Sequence, residues 1–184
     1  MTPVLSVREI SYSYTGERKA LDSISFDIDA GERVVLLGPN GSGKTTLLLH
    51  LNGILRGQGR VEVLGVPAEP PHLVSIRRKV GFLFQDPGDQ LFLPTVLEDV
   101  MFAPLQAGAG PAEAEAKARS ALRAVGLEAL CGKAPYALSA GEKQRAALAG
   151  ILAAEPELIV LDEPTTHLDP PARRSLIEFL NRLP

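Results

Sequence analysis

Eight residues, Gly38-Pro-Asn-Gly-Ser-Gly-Lys-Thr45, restrict what this chain can fold into more than any other stretch. The apolar run Val34-Val-Leu-Leu37 precedes them, and the apolar helical pattern Thr46-Leu-Leu-Leu-His-Leu51 follows. The spacing Gly-x-x-x-x-Gly-Lys-Thr, between a predicted strand and a predicted helix, is that of a phosphate-binding loop, the Walker A pattern. Its glycines let the backbone curl until several N–H groups point at one anion, and the start of the helix adds the positive end of its dipole. In such a loop Lys44 reaches the β- and γ-phosphates and the Thr45 hydroxyl ligates Mg²⁺. A dinucleotide fingerprint is not supported, because no Gly-x-Gly-x-x-Gly opens this helix and Lys-Thr has no role in one.

The 184 residues fit one domain of ordinary size with a substantial core. A hydrophobic fraction of 45% is enough for the chain to fold rather than stay disordered. The net charge of −3 argues against a general nucleic-acid binder. Cys131 is the only cysteine, which excludes an internal disulfide and a cysteine-rich zinc site. The first residues lack the basic start and long apolar core of a signal peptide. No charge-free apolar run approaches the ~18 residues of a membrane span. The expectation is a soluble, cytoplasmic protein whose link to a membrane runs through a partner.

Hydropathy patterning predicts strands over residues 4–10 and, with clean alternation, 23–29. The polar turn between them, 13–18, carries Tyr14. Residues 34–37 are apolar throughout, as expected of a strand covered on both faces. The helix after the glycine loop is predicted over about 44–55, stopping near Gly57. Short strands follow at 60–64, closed by Gly65, and at 80–84. From Thr95 to about Leu152 the pattern turns helical. Thr95 with Glu98, and Ser139 with Glu142, have the spacing of capping boxes. Pro111 opens a helix rich in Ala, Glu, Lys and Arg that ends at Gly126. A second buried strand is predicted at 158–161, and a last amphipathic helix at 172–183 with Leu176, Ile177 and Leu180 on one face. Arg77, Arg78 and Lys79 read as a solvated basic face. The expected class is α/β, a single domain over 1–184. Its α/β core (1–86 and 156–184) is interrupted by a helical subdomain (about 87–155).

A phosphate cradle needs a metal holder and a group that manages water. Asp162 and Glu163 directly follow the predicted strand 158–161, at the sheet edge where ligands bind in such folds. Asp162 can hold Mg²⁺ through its water shell, and Glu163 can orient or deprotonate an attacking water.

Further stretches resemble the ATP-binding-cassette (ABC) ATPases, in that family's order. Gln85, within Phe84-Gln-Asp-Pro87, is similar to the Q-loop. Leu138-Ser-Ala-Gly-Glu142, continuing into Lys143-Gln-Arg145, resembles the signature motif. Residues 158–163 resemble Walker B, Thr166-His-Leu-Asp169 the D-loop, and Tyr14 the aromatic A-loop. The resemblance implies a P-loop NTPase core with an N-terminal antiparallel β portion, and ATP and Mg²⁺ as cofactors. Tyr14 would stack on adenine while Asn40, Gly41, Ser42, Gly43, Lys44, Thr45 and Thr46 wrap the phosphates. Thr45, Gln85 and Asp162 would hold the metal; Glu163, with Lys44 and Gln85, would carry hydrolysis. Ser139, Gly141 and Asp169 would contact nucleotide shared with a second cassette, identical or paralogous, in a head-to-tail dimer. Gln85-Asp-Pro-Gly-Asp-Gln-Leu-Phe92 also resembles the energy-coupling-factor importers of cobalt, nickel and vitamins. That subgroup implies a peripheral protein at the cytoplasmic face of the cell membrane. A transmembrane subunit would dock a coupling helix near residues 85–99, with no nucleic-acid partner.

Two positions depart from the family pattern. Ala140 stands where the signature usually has glycine, so a Cβ could crowd the phosphate approach. The family's switch histidine, at the end of a strand after the last helix, has no counterpart. His167 lies within the D-loop, and His50 and His72 lie elsewhere. The missing C-terminal strand lies between the Walker A and Walker B strands in related sheets, so its absence would leave unpaired backbone groups. Either the sheet closes differently or the sequence is truncated from a longer cassette. Three functions follow. The first is an ATP-hydrolysing subunit that powers a membrane importer of the metal-ion or vitamin type. The second is a truncated or regulatory nucleotide-binding module with weak hydrolysis that pairs with a competent cassette. The third is a non-transport ABC ATPase of DNA repair or the ribosome, against which stand the acidic balance and the lack of a long coiled-coil insert.

Overall fold

The chain forms two compact units, 1–80 and 81–184. A computed structural model describes residues 3–14, 18–166 and 168–183. His167 of the D-loop therefore lies outside the described residues, as do three residues of the turn after Tyr14.

The first unit contains β1 (Leu5–Tyr12), β2 (Leu21–Ile28), α1 (Lys44–Leu51), β3 (Gln58–Val63), β4 (Val66–Pro67) and α2 (Leu73–Lys79). Its four strands form one antiparallel sheet in the order β2-β1-β3-β4. Leu5 faces Ile28 on one side and Val63 on the other, and Val7 lies between Phe26 and Val61. Leu5, Val7, Val61 and Val63 are buried on one face. On the opposite side Arg8 pairs with Asp27 at 2.7 Å. This is the strict period of two that a half-covered sheet requires. The alternation breaks at Glu9, which takes φ +50°: the register with β2 shifts between Val7 and Ile10 and again between Ile10 and Tyr12, and Ile10 returns to the core. Gly59 sits beside this bulge at φ +98°, where a Cβ would run into the carbonyl oxygens of Arg8 and Glu9. Helix α1 lies against β3 and buries Leu47, His50 and Leu51. It is shorter than predicted, because Gly53 at φ +61° turns the chain directly after it. Helix α2 was not expected. Its Arg77, Arg78 and Lys79 are exposed, as expected, and the Arg77 guanidinium also donates to the carbonyls of Asn52 and Gly53, both at 3.2 Å. Those carbonyls follow α1, where the helical ladder has run out.

The strand expected at residues 34–37 does not form. Its backbone has no strand assignment, and its apolar side chains face solvent, with Val35 76% and Leu37 84% exposed. A four-residue apolar run becomes a strand only when neighbouring strands take up its N–H and C=O groups. No described strand pairs with this one.

The second unit contains β5 (Val80–Leu83), a 3-10 turn (Pro87–Gln90), α3 (Val96–Gln106), α4 (Pro111–Ala124), α5 (Ala140–Ala153), β6 (Leu158–Leu161) and α6 (Pro170–Arg182). Strands β5 and β6 form a two-stranded sheet, and β6 is fully buried only at Val160. Helices α3, α4 and α5 pack on one another around Val96, Val100, Leu122 and Leu127. Buried alanines at 118, 121, 146 and 149 let the helices approach closely. A second cluster joins Leu83 of β5 to Ala147 and Ile151 of α5. Both expected capping boxes are present, at Thr95/Glu98 and Ser139/Glu142. Helix α6 begins earlier than predicted because Asp169 caps it and Pro170 and Pro171 fill its first two positions. Of its apolar face, Leu176 is buried, but Ile177 is exposed.

Candidate functional site

In the first unit the glycine loop, residues 38–43, leads straight into α1. Gly41 and Gly43 take φ +77° and +92°, a region open to glycine at little cost. Gly43 has a second requirement. A Cβ there would collide with the carbonyl oxygen of Ala20 and come within 3.2 Å of Leu21 Cδ2. As N-cap of α1, Gly43 offers no side-chain bond, and the first turn holds no acidic residue. The first N–H groups of α1 therefore have no capping side chain, and such a terminus is an anion site. Lys44 Nζ donates to the carbonyls of Gly38 and Pro39, both at 3.1 Å. The ammonium is thus held over the loop that a phosphate would enter. Thr46 is buried, whereas Asn40, Gly41 and Ser42 are exposed.

Tyr14 belongs to the same place. Its hydroxyl lies 3.0 Å from Thr46 Oγ1, while the residue as a whole remains 57% exposed. An aromatic ring tethered at one end with an open face is a fit platform for a flat base. Tyr12, its neighbour in alternation, packs instead against Tyr14 and His50.

In the second unit Asp162 and Glu163 follow β6. Asp162 is 2% exposed, and its N–H donates to the Leu83 carbonyl at 2.9 Å, tying the end of β6 to β5. Glu163 sits at φ +45°, a strained position for a residue with a Cβ and one that clusters at functional sites. Its carboxylate accepts from Thr166 Oγ1 at 3.0 Å, and its carbonyl accepts from Thr166 N–H at 3.0 Å. Sequence reasoning placed Thr166 in the D-loop but missed this bond, which a three-residue separation could have suggested. Gln85 is exposed at the end of β5. Gln90, within the importer-like stretch 85–92, stiffens this segment: its amide accepts from Phe84 N–H at 3.0 Å and donates to the Phe82 carbonyl at 2.8 Å.

Ser139, Gly141 and Asp169, far apart in sequence, line one groove of about 540 Å³ together with Arg145, Leu168 and Ala172. Ser139 Oγ accepts from Glu142 N–H at 3.4 Å, and the Glu142 carboxylate accepts from Ser139 N–H at 2.7 Å. Those bonds to Ser139 hold the Glu142 carboxyl below its usual range. Ala140 is exposed in the first turn of α5, so its Cβ adds bulk at the groove and none to the core. Nearby in sequence to Gln85, Phe92 and Phe102 stand edge to face at 5.4 Å between centroids, both exposed, with Leu105 also exposed.

The loop fits a nucleotide's phosphates: it combines an uncapped helix terminus, two left-handed glycines and an ammonium over two carbonyls. Thr45, Gln85 and Asp162 offer the oxygen donors that Mg²⁺ prefers. Among the described residues no three His, Cys, Asp or Glu converge on a metal site.

A family model described as ABC transporter matches residues 21–166. A putative ABC transporter ATP-binding protein of Streptomyces avermitilis is 52% identical over 182 residues, covering 98% of this chain and 70% of that protein. The energy-coupling factor transporter ATP-binding protein EcfA of Methanothermobacter thermautotrophicus is 48% identical over 183 residues, covering 98% of this chain and 59% of that protein. Among solved structures, cbiO1 of Clostridium perfringens, part of the ABC transporter complex cbiONQ, superimposes with a TM-score of 0.86 at 36% identity. The match covers 97% of this chain and 72% of cbiO1. A dimeric ATP-binding cassette in a post-hydrolysis state, bound to ADP and phosphate, matches with a TM-score of 0.88 at 30% identity. It covers 97% of this chain and 82% of that one.

Proposed function

The chain belongs to the ABC transporter family as an ABC-type ATPase, and from that premise we propose that it is the ATP-hydrolysing subunit of an importer of the energy-coupling-factor type, serving a metal ion or a vitamin. The observation that carries nucleotide binding is the uncapped start of α1 behind Gly43, with Lys44 held over the Gly38 and Pro39 carbonyls. The importer reading draws on relatives named EcfA and on cbiO1. No described helix is long and apolar enough to cross a membrane. The reading therefore puts the chain at the cytoplasmic face, held there by a transmembrane subunit. Phe92, Phe102 and Leu105 form the exposed apolar patch that would receive that subunit's coupling helix.

In this reading Tyr14 stacks on adenine, and the N–H groups of residues 40–46 bind the phosphates. Lys44 leaves its carbonyl partners to neutralise charge on the outer phosphates. Mg²⁺, when bound, would supply Lewis-acid charge at the phosphoryl oxygens, and Thr45, Gln85 and Asp162 are the residues that would hold it. Glu163 orients the attacking water and accepts its proton at the carboxylate that Thr166 now holds. Ser139, Gly141 and Asp169 serve the nucleotide of a second cassette, identical or paralogous, and take theirs from it in return. Catalysis of this kind is positioning and electrostatics rather than covalent chemistry. Phosphate release from a dimerised sample with its membrane partner should need Mg²⁺ and be abolished in Lys44→Ala. Absence of release from the wild-type sample would sink the proposal.

One observation favours the second reading, a nucleotide-binding module with weak hydrolysis. The exposed run 34–37 leads directly into the phosphate loop without a strand to brace it. That reading fails if the 184-residue chain alone turns over ATP as fast as a longer version does.

A further inference from the structure

His50 is a buried histidine that the proposed chemistry does not use. It is 3% exposed on the inner face of α1. Its Nδ1 lies 2.7 Å from the Thr46 carbonyl. A carbonyl can only accept, so Nδ1 carries the proton and Nε2 is the bare acceptor. Nε2 is buried and has no hydrogen-bond partner among the described residues. Packing alone does not ask for an imidazole in such a place, since leucine would fill it without stranding a polar atom.

The ring's contacts explain what it does. Tyr12 stands edge to face on His50, at 4.9 Å and 75°, and edge to face on Tyr14, at 5.0 Å and 86°. Tyr14 in turn meets Thr46 Oγ1 through its hydroxyl, at 3.0 Å. The contacts close a ring: Thr46 to Tyr14, Tyr14 to Tyr12, Tyr12 to His50, and His50 back to Thr46. Two of its members, Thr46 and His50, belong to the helix that starts at the phosphate loop. The other two end the strand β1 or follow it directly. Edge-to-face packing fixes ring planes, and the Nδ1 bond fixes the imidazole about its own axis. The exposed Tyr14 ring is thus held at a set angle from α1 although it stands beyond the end of a strand.

We propose that His50, acting through Tyr12, is a positioning residue that orients the Tyr14 ring for an aromatic base, so that it governs affinity for the base and not for the phosphates. The proposal rests on the reading of Tyr14 as the adenine platform. The probes are Mg·ATP and Mg·tripolyphosphate, the second lacking base and ribose, titrated calorimetrically onto the full chain. Tyr14→Ala tests the underlying reading: weaker ATP binding with tripolyphosphate unchanged upholds it, and unchanged ATP binding overturns both it and the role of His50. Against a Tyr14→Ala that behaves as expected, His50→Leu should weaken ATP about 3- to 10-fold, the worth of an aromatic pair. Its tripolyphosphate affinity should stay at the wild-type value. Equal loss for both probes would make His50 a structural residue of α1 and overturn the proposal, as would no loss for either. Should His50→Leu fail to fold, Tyr12→Leu breaks the same chain of contacts from the strand side. It should give the same split between the probes, and an equal loss for both would overturn the proposal in that case too.

Discussion

Replacing Gly43 by alanine should destabilise the first unit far more than replacing Gly41, although both lie in one loop with positive φ. At Gly41, φ is +77° and a Cβ would meet nothing within 4 Å. Gly41→Ala therefore carries only the cost of a left-handed alanine, about 1–2 kcal/mol. At Gly43, φ is +92° and the added carbon would overlap the Ala20 carbonyl oxygen and press on Leu21. Ala20 and Leu21 cannot give easily, since Leu21 is buried at the start of β2 and Ala20 N–H is bonded to the Tyr12 carbonyl at 2.8 Å. Overpacking of this kind adds about 1–3 kcal/mol, which brings Gly43→Ala to about 2–5 kcal/mol. Urea unfolding followed by tyrosine fluorescence suits the question. The chain has no tryptophan, and two of its three tyrosines, Tyr12 and Tyr14, lie in the same unit as Gly43. The experiment is done without nucleotide, so that phosphate contacts do not enter. A Gly43→Ala midpoint no lower than that of Gly41→Ala would refute the claim that the Ala20 contact, rather than φ alone, demands glycine there.

Two further outcomes follow from the second unit. Ser139→Ala removes the hydroxyl that accepts from Glu142 N–H and should cost about 1 kcal/mol in urea unfolding of that unit; a loss below a few tenths would mean the cap is not formed in solution. Burial raises the Asp99 carboxyl above its usual value, against the pull of N–H donors from Phe92 and Leu93 and with a further push from Glu98. The folded state thus holds this proton more tightly than the unfolded chain does. Its contribution to stability is fully present below the unfolded value and is lost as pH rises through the folded one. Asp99→Asn should flatten that decline in unfolding midpoints measured from acid to neutral pH, and an unchanged slope would assign the decline elsewhere.

Much of the molecule was legible because its signals are local. The capping boxes at Thr95 and Ser139 need only residues three apart, and both formed. The alternation of Ile24, Phe26 and Ile28 with exposed Ser25 and Asp27 needs only a period of two, and it marked β2. The glycine pattern of the loop was legible, because Gly41 and Gly43 act through their own positive φ. Other features had no local signature. Gln90 clamps Phe82 and Phe84 across a turn, and a glutamine in a polar turn looks the same whether it clamps or not. Arg77 is part of an exposed basic run, as its neighbours suggest, and it also serves the carbonyls behind α1, 24 and 25 residues away in sequence.

The run 34–37 marks the boundary between the two kinds of information. By sequence alone the chain determined its nucleotide loop, its helix starts, its β1–β3 alternation and the family to which they point. These depend on what a residue does to its own backbone or to a neighbour within one turn. Whether four apolar residues become a strand, which tyrosine keeps an open face, and that Ser139 and Asp169 share a groove were decided only by the tertiary structure. Each depends on a partner that comes from elsewhere in the chain: a second strand's carbonyls, a threonine 32 residues on from Tyr14, or the N-terminus of another helix. A backbone group is satisfied, or a side chain covered, by whatever the fold brings beside it, and no local pattern specifies that neighbour.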